Sequence, residues 1–285
     1  MRYISTILLC ALIVIGPVSA QPTDSKRLHM RTRIRPFHNV DSWTEAHFDG
    51  TLDNHKTAII ITDMWDKHWC AGATNRVQQI ADKMDPVLDQ ARRAGILIIH
   101  APSGTMDFYA KTPGRLLAQN APQSVPPDSA SPEELKRQDV PLPIDDSDEG
   151  CDTPGDKPHD VWTREISTLV VAPGDIISDK GTEIYDVFKE HHIDTILYMG
   201  VHANMCILSR PFGVRQMSKW GFRCILVRDL TDAMYNPASR PFVSHAAGTE
   251  LVIEHIERYW APTVTSDDLL LGLKDGPPTT SSKLK

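Results

Sequence analysis

The sequence predicts an α/β fold, a three-layer sandwich with a six-stranded, mainly parallel sheet and helices on both faces. Three observations predict it. Apolar runs such as "TAIIITD" (57–63) and "ILIIHAP" (96–102) are continuous rather than alternating, as in strands covered on both sides. Segments with apolar residues at helical spacing lie between such runs, which is the rhythm of right-handed strand–helix–strand crossovers. The length, 285 residues, allows one large α/β domain or two small ones.

Taken in order, residues 1–20 read as a secretory signal peptide. Arg2 gives a positive start, "ISTILLCALIVIG" is too short to span a bilayer, and Val18-Ser19-Ala20 is a small-residue cleavage signal. Cleavage there places the chain in a secreted or periplasmic setting, with no membrane span afterwards. Residues 21–54 are polar, without a sustained period, and read as an N-terminal extension lying across the surface. The main α/β domain is expected over 55–265. Its first strand ends in Asp63, and "NRVQQIADKMDPVLDQARRAG" (75–95) follows with Val77, Ile80, Ala81, Met84, Val87, Leu88 and Ala91 on one helical face and Gly95 as a stop. After "ILIIHAP" the pattern breaks into a proline-rich, acidic insertion at about 110–160, a length that marks a functional or disordered loop. Order returns with the strand "DIISD" (175–179), the helix "TEIYDVFKEHHI", the strand "TILYMG" (195–200), a helix from Cys206 to about Trp220, the strand "RCILVRD" (223–229) and a helix over about 248–259. "PTVTS" is a possible sixth, edge strand, and 266–285 reads as a flexible C-terminal tail.

A net charge of −7 with no basic stripe argues against a nucleic-acid partner. Beyond the leader four cysteines remain: Cys70, Cys151, Cys206 and Cys224. An even count in an exported chain permits disulfides. If Cys206 is a free thiolate, Cys70 and Cys151, both in polar loop-like sequence, become the expected bridge. Cys224, inside "RCILV", reads as core filler.

Chemistry in open parallel sheets gathers at the carboxyl ends of the strands. Asp63, Lys180 and Cys206 all fall there. Each has a plainer reading: a turn or capping residue, a solvated lysine, an inert buried thiol. Together they compose a mechanism, because a helix N-terminus and an ammonium favour thiolate and a carboxylate can carry the thiol proton to a leaving amine. On that basis Cys206 is expected to have a depressed pKa.

The segments "TAIIITDMWDKHWC", "DIISDKG" and "LYMGVHANMCI" resemble the cysteine hydrolases of the isochorismatase-like superfamily, the group that includes nicotinamidases and N-carbamoylsarcosine amidases. The resemblance covers about 55–265. It implies a catalytic triad of Asp63, Lys180 and Cys206, with Lys180 five residues after Asp175 in the D-x-x-x-x-K arrangement. It implies a cis peptide between Val201 and His202, and an oxyanion hole formed by the backbone amides of His202 and Cys206. Because isochorismatases proper lack the cysteine, Cys206 implies hydrolysis of a C–N bond in a small-molecule amide or carbamoyl substrate. Two departures stand out. The D-x-H metal motif of nicotinamidases is missing, so no metal is assigned, although a divalent ion assembled from His100, Asp66, His68 or Asp107 remains open. The stretch between Lys180 and Cys206 is short and lacks the usual Ser-Ala-Phe loop. Trp65, Trp69, Phe108 and Tyr109 are either an aromatic substrate pocket or ordinary anchors. A homo-oligomer is possible. Competing classes are a silent binding protein on the same fold, a redox protein, for which no C-x-x-C is present, and a calcium protein resting on the acidic cluster at 145–152.

Overall fold

The middle of the sheet is set by strands with no solvent-facing side. Every residue of β3 (Thr57–Thr62) is buried. The computed structural model describes residues 25–36, 42–127 and 140–274; the signal peptide read at 1–20 lies outside them. Before β3 come β1 (Ser25–Ile34) and β2 (Thr44–Asp53), and after it α1 (Ala71–Arg93) and β4 (Leu97–Ala101). The chain continues through α2 (Met106–Tyr109), α3 (Pro113–Asn120), β5 (Ile176–Ile177), α4 (Gly181–Glu190) and β6 (Thr195–Val201). It ends with α5 (Cys206–Ser209), α6 (Val214–Lys219), β7 (Arg223–Asp232), α7 (His245–Tyr259), β8 (Thr263–Val264) and α8 (Ser266–Lys274).

The sheet order is β2-β1-β8-β7-β6-β3-β4-β5. All six expected strands are present, and β8-β7-β6-β3-β4-β5 are mutually parallel. Two apolar cores flank this sheet. One gathers Ile60, Tyr198, Phe188, Phe212 and Val252, and the other packs the α1 face, Val77 to Ala91, against Ile59, Ile61 and Leu197. Each fully buried aliphatic side chain there contributes about 1.5–3 kcal/mol relative to exposure.

The sheet has eight strands rather than six. The expected surface extension, 21–54, supplies the additional pair: β1 and β2 form an antiparallel hairpin, joined to β8 through Arg31 opposite Thr263. Leu28, Met30 and Leu52 point inward. The rest of the attachment is charged. Arg31 Nε and Nη2 donate to Glu257 Oε1 and Glu250 Oε1, each at 2.6 Å, and Arg33 reaches Glu254 at 3.1 Å. The expected flexible tail is also corrected in part. Ser266–Lys274 is a helix whose Leu269 is buried and whose Gly272 lies against the Arg27 carbonyl, where a Cβ would come within 2.6 Å. Residues 275–285 lie outside the described residues.

The second half of the insertion is tied down at intervals. Cys70 and Cys151 form the expected disulfide, with Cα atoms 5.7 Å apart. Arg76 Nη1 donates to Asp152 Oδ2 at 2.6 Å, and the Gly72 N–H donates to Thr153 Oγ1 at 2.9 Å. The acidic cluster serves as hydrogen-bond acceptor: Asn204 Nδ2 donates to Asp146, and Asn236 and Ser239 donate to Asp148, all at 2.9 Å. Among the described residues no helix is long and apolar enough to cross a membrane.

The bridge gives the first prediction. Protein beginning at Gln21, denatured without reductant, should titrate as two free thiols, Cys206 and Cys224; four would remove the bridge. Cys151→Ser should lower unfolding free energy by about 2–5 kcal/mol in urea titration.

Candidate active site

Asp63 follows the last residue of β3 and is fully buried, with a backbone φ of 47°, in the left-handed region that disfavours a side chain. That conformation turns its carboxylate under the loop after β4. Asp63 Oδ1 accepts the Ser103 N–H at 2.7 Å, and Oδ2 accepts Arg210 Nε at 3.0 Å. On the neighbouring strand, β6 ends in the chain turn that delivers Cys206. Gly200 (φ 102°) crosses β3 so closely that a Cβ would lie 2.1 Å from the Thr62 carbonyl oxygen. The next peptide, Val201–His202, is cis, as the sequence resemblance implied. Cys206 is the first residue of α5, so its N–H has no acceptor within its own helix. Its sulfur lies close enough to Asp63, Arg210 and the His202 backbone for each of them to act on its ionisation.

The electrostatics differ from expectation. Burial, and then the charge of Asp63, pushes the Cys206 thiol well above its ordinary value, while Arg210 and the His202 N–H pull the other way. The resting sulfur is therefore a thiol near a carboxylate, not the expected depressed thiolate. A four-residue helix supplies little of the dipole that expectation invoked. Cys224 is buried, which pushes its thiol up to about 12, in keeping with a core role.

Lys180 does not join this group. It is the N-cap of α4, its side chain is 61% exposed, and its Nζ pairs with Glu183 at 3.2 Å. The start of α4 is pressed against the chain just after Arg210: a Cβ on Gly181 would sit 2.2 Å from the Pro211 carbonyl oxygen. With helix beginning immediately after Lys180, its side chain turns outward to Glu183. The cation on Asp63 is Arg210, the C-cap of α5, four residues after Cys206. That spacing was visible in the sequence, since positions i and i+4 of a helix are neighbours.

A cavity of about 840 Å³ opens beside Cys206, walled by Val140, Leu142, Asn204, Met205, Ser209 and Arg210. None of Trp65, Trp69, Phe108 or Tyr109 lines it. Trp65 is buried, stacked on Trp162 at 4.5 Å, with its indole N–H donated to the Ser103 carbonyl at 3.0 Å. Trp69 rests on His68 and on the cluster around the disulfide. Tyr109 is buried and its hydroxyl accepts the Glu165 N–H, while exposed Phe108 lies beneath the Arg164 guanidinium. For these four, the anchor reading fits the contacts.

Three of the residues suggested for a metal, His100, Asp66 and His68, have other partners, and Asp107 lies on α2. His100 is buried between Glu165 (2.6 Å) and Asp175 (3.1 Å), which outweigh burial and raise it to about 9, so both ring nitrogens carry protons and neither can ligate. Asp66 accepts from Thr163 N–H and Oγ1. His68 accepts the Cys70 N–H, and burial, with Arg76 nearby, lowers it to about 4. Among the described residues the one three-member ligand group, Cys70, Cys151 and Asp156, has two members in the disulfide.

No protein-family model and no curated protein matches this chain. Solved structures do resemble it. A cysteine hydrolase from Pseudomonas syringae pv. phaseolicola 1448A is 17% identical, with 78% of this chain and 94% of that chain covered and a TM-score of 0.49. An isochorismatase-like hydrolase from Alkaliphilus metalliredigens is 14% identical over 77% and 97% of the two chains, TM-score 0.46. N-carbamoylsarcosine amidase from Thermoplasma acidophilum is 15% identical over 74% and 97%, TM-score 0.42.

The buried histidine gives a pH prediction. Its folded pKa, about 9, lies above the ordinary 6.5, so its contribution to stability is complete below about 6.5 and is lost as pH rises through about 9. Unfolding free energy measured in urea should decline across that window. His100→Gln should lack this part of the slope and cost about 3–5 kcal/mol at neutral pH, because it removes the cation from the buried Glu165 and leaves Asp175 with Arg92 alone.

Proposed function

We propose that this chain is an exported cysteine hydrolase that cleaves a C–N bond in a small amide or carbamoyl compound through a thioester on Cys206. The observation that carries the reading is that Cys206 opens onto a cavity beside the ion pair of the buried Asp63 carboxylate and the Arg210 guanidinium, with the His202 backbone near enough to act on its sulfur. Sulfur attacks the carbonyl carbon while its proton passes to Asp63. The carbonyl oxygen takes up the displaced electron pair and is held by the His202 and Cys206 amides. Collapse of this intermediate expels the amine, which receives the proton from Asp63. Water, deprotonated by the same carboxylate, then cleaves the thioester and returns the thiol. The 840 Å³ cavity suits a small molecule. The Cys70–Cys151 bridge and the leader-like residues 1–20 support export to an oxidising compartment.

One observation favours a second reading. Lys180 faces solvent, so the lysine triad implied by the resemblance is incomplete, and a silent binding protein would tolerate that loss. A single experiment separates the two. Release of ammonia or amine from a panel of nicotinamide, carbamoyl and short aliphatic amides should be detectable with wild-type protein, and Cys206→Ala should lower it by about a thousandfold or more. Turnover that survives in Cys206→Ala would exclude the thioester route, and a wholly inactive wild type would favour the binding protein.

A further inference from the structure

We infer that Arg210 is the catalytic cation of this site, doing for Asp63 and Cys206 what the sequence resemblance assigns to Lys180. This deepens the proposed function and rests on it for the identity of the reaction, though not for the test below.

Arg210 is the group in ion-pair contact with Asp63, Nε to Oδ2 at 3.0 Å, and it lines the same cavity as Cys206, near enough for its charge to act on the sulfur. Its side chain is 36% exposed and lines the cavity, whereas Lys180 lies 61% exposed on Glu183. Burial would lower the guanidinium, but the Asp63 carboxylate paired with it offsets this and keeps it protonated. The other charged or titratable groups near the sulfur are Asp146 and Arg215 on the cavity wall and the His202 ring, which burial lowers to about 3 and keeps neutral. Asp146 already accepts a hydrogen bond from Asn204.

The chemistry of the step distinguishes the two cations. When sulfur attacks, its proton must go to a base. A lysine ammonium can itself lose a proton, whereas a guanidinium does not in the working range. With Arg210 in place, the proton moves from Cys206 Sγ to Asp63 and nowhere else. The guanidinium stays positive throughout, opposite first the carboxylate and then the negative charge that passes to the substrate oxygen.

The test is alkylation of Cys206 by iodoacetamide from about pH 6 to pH 10, which needs no substrate, since the rate follows the thiolate fraction at each pH. Arg210→Gln leaves the sulfur facing Asp63 alone. Its thiol should titrate higher, and labelling at pH 8 should fall about tenfold for each unit of that change. Adding Asp63→Asn to Arg210→Gln should restore much of the rate, as coupled neighbours require. Lys180→Ala should label within about twofold of wild type, as an exposed ion pair predicts. If Arg210→Gln does not give native circular dichroism, Arg210→Lys carries the test: it should alter the pH profile by placing a cation that can lose its proton beside the sulfur, while Lys180→Ala superimposes on wild type. A Lys180→Ala profile that shifts while the Arg210 variants label like wild type would overturn the inference. A blank substrate panel alongside the expected labelling would count against the hydrolase reading and leave Arg210 as the partner of Cys206.

Discussion

A carboxylate with no solvent-exposed surface sits just past the end of the central strand, and the site is organised by the need to keep it there. Taking such a charge out of water costs several kcal/mol unless a cation and hydrogen-bond donors replace the water. Asp63 obtains both: the Arg210 guanidinium and the Ser103 N–H. Each partner constrains a different loop. Ser103 fixes the turn after β4. Arg210 fixes the segment after α5, and because the Arg210 N–H donates to the Cys206 carbonyl at 3.0 Å, that segment holds the cysteine at the same point. The left-handed backbone of Asp63, which costs about 1–3 kcal/mol for such a residue, is what aims the carboxylate between the two loops.

Three other buried or half-buried charge groups fasten the peripheral segments to this frame. His100 links β4 to Glu165 and Asp175, and Arg92 on α1 doubles the hold on Asp175 at 2.8 Å. Arg76 spans Asp152 in the insertion and Asp232 at the end of β7, at 2.6 and 2.8 Å. Arg31 and Arg33 fasten the hairpin to the glutamates of α7. Ion pairs stabilise such contacts less than apolar burial would, but removing one partner of a buried pair is costly, so each group is effective at fixing one arrangement.

That division explains what was legible in the sequence. Ile59–Ile61, Ile98–Ile99 and Ile196–Leu197 are apolar on both faces of the sheet, and such runs announce themselves without an alignment. The six parallel strands, the position of Cys206 at a helix start and the Cys70–Cys151 pair followed from that and from loop composition. The β1–β2 hairpin did not, because its inward face is only partly apolar: Leu28 and Met30 alternate with residues of a strand that is otherwise charged, and arginine–glutamate pairs carry no hydrophobic period. α8 was hidden for a different reason: its leucines fill a short segment that runs straight into the polar, proline-containing stretch "DGPPTTSSKLK". Lys180 was misplaced because its spacing from Asp175 is a property of the chain, whereas its direction is set by where α4 begins and by the Gly181–Pro211 contact. For Trp65, Trp69, Phe108 and Tyr109 the sequence left pocket and anchor open, because residue type does not say which side of Cys206 they occupy.

With Arg210 rather than the lysine implied by the resemblance as the proposed cation, the resting state would also differ. A thiol beside a buried carboxylate gains little by ionising first, since that would place two negative charges in contact with a single guanidinium. The arrangement instead keeps one negative charge, on Asp63, opposite one fixed positive charge. In the proposed reaction the second negative charge would appear only as the sulfur–carbon bond forms and the charge moves outward to the substrate oxygen. The favourable interaction is then realised in the transition state rather than in the free protein, which is where it raises the rate. On this view the raised thiol of Cys206 is consistent with catalysis: the sulfur stays protonated, and so poorly reactive toward adventitious electrophiles, until a carbonyl group is placed against the His202 N–H.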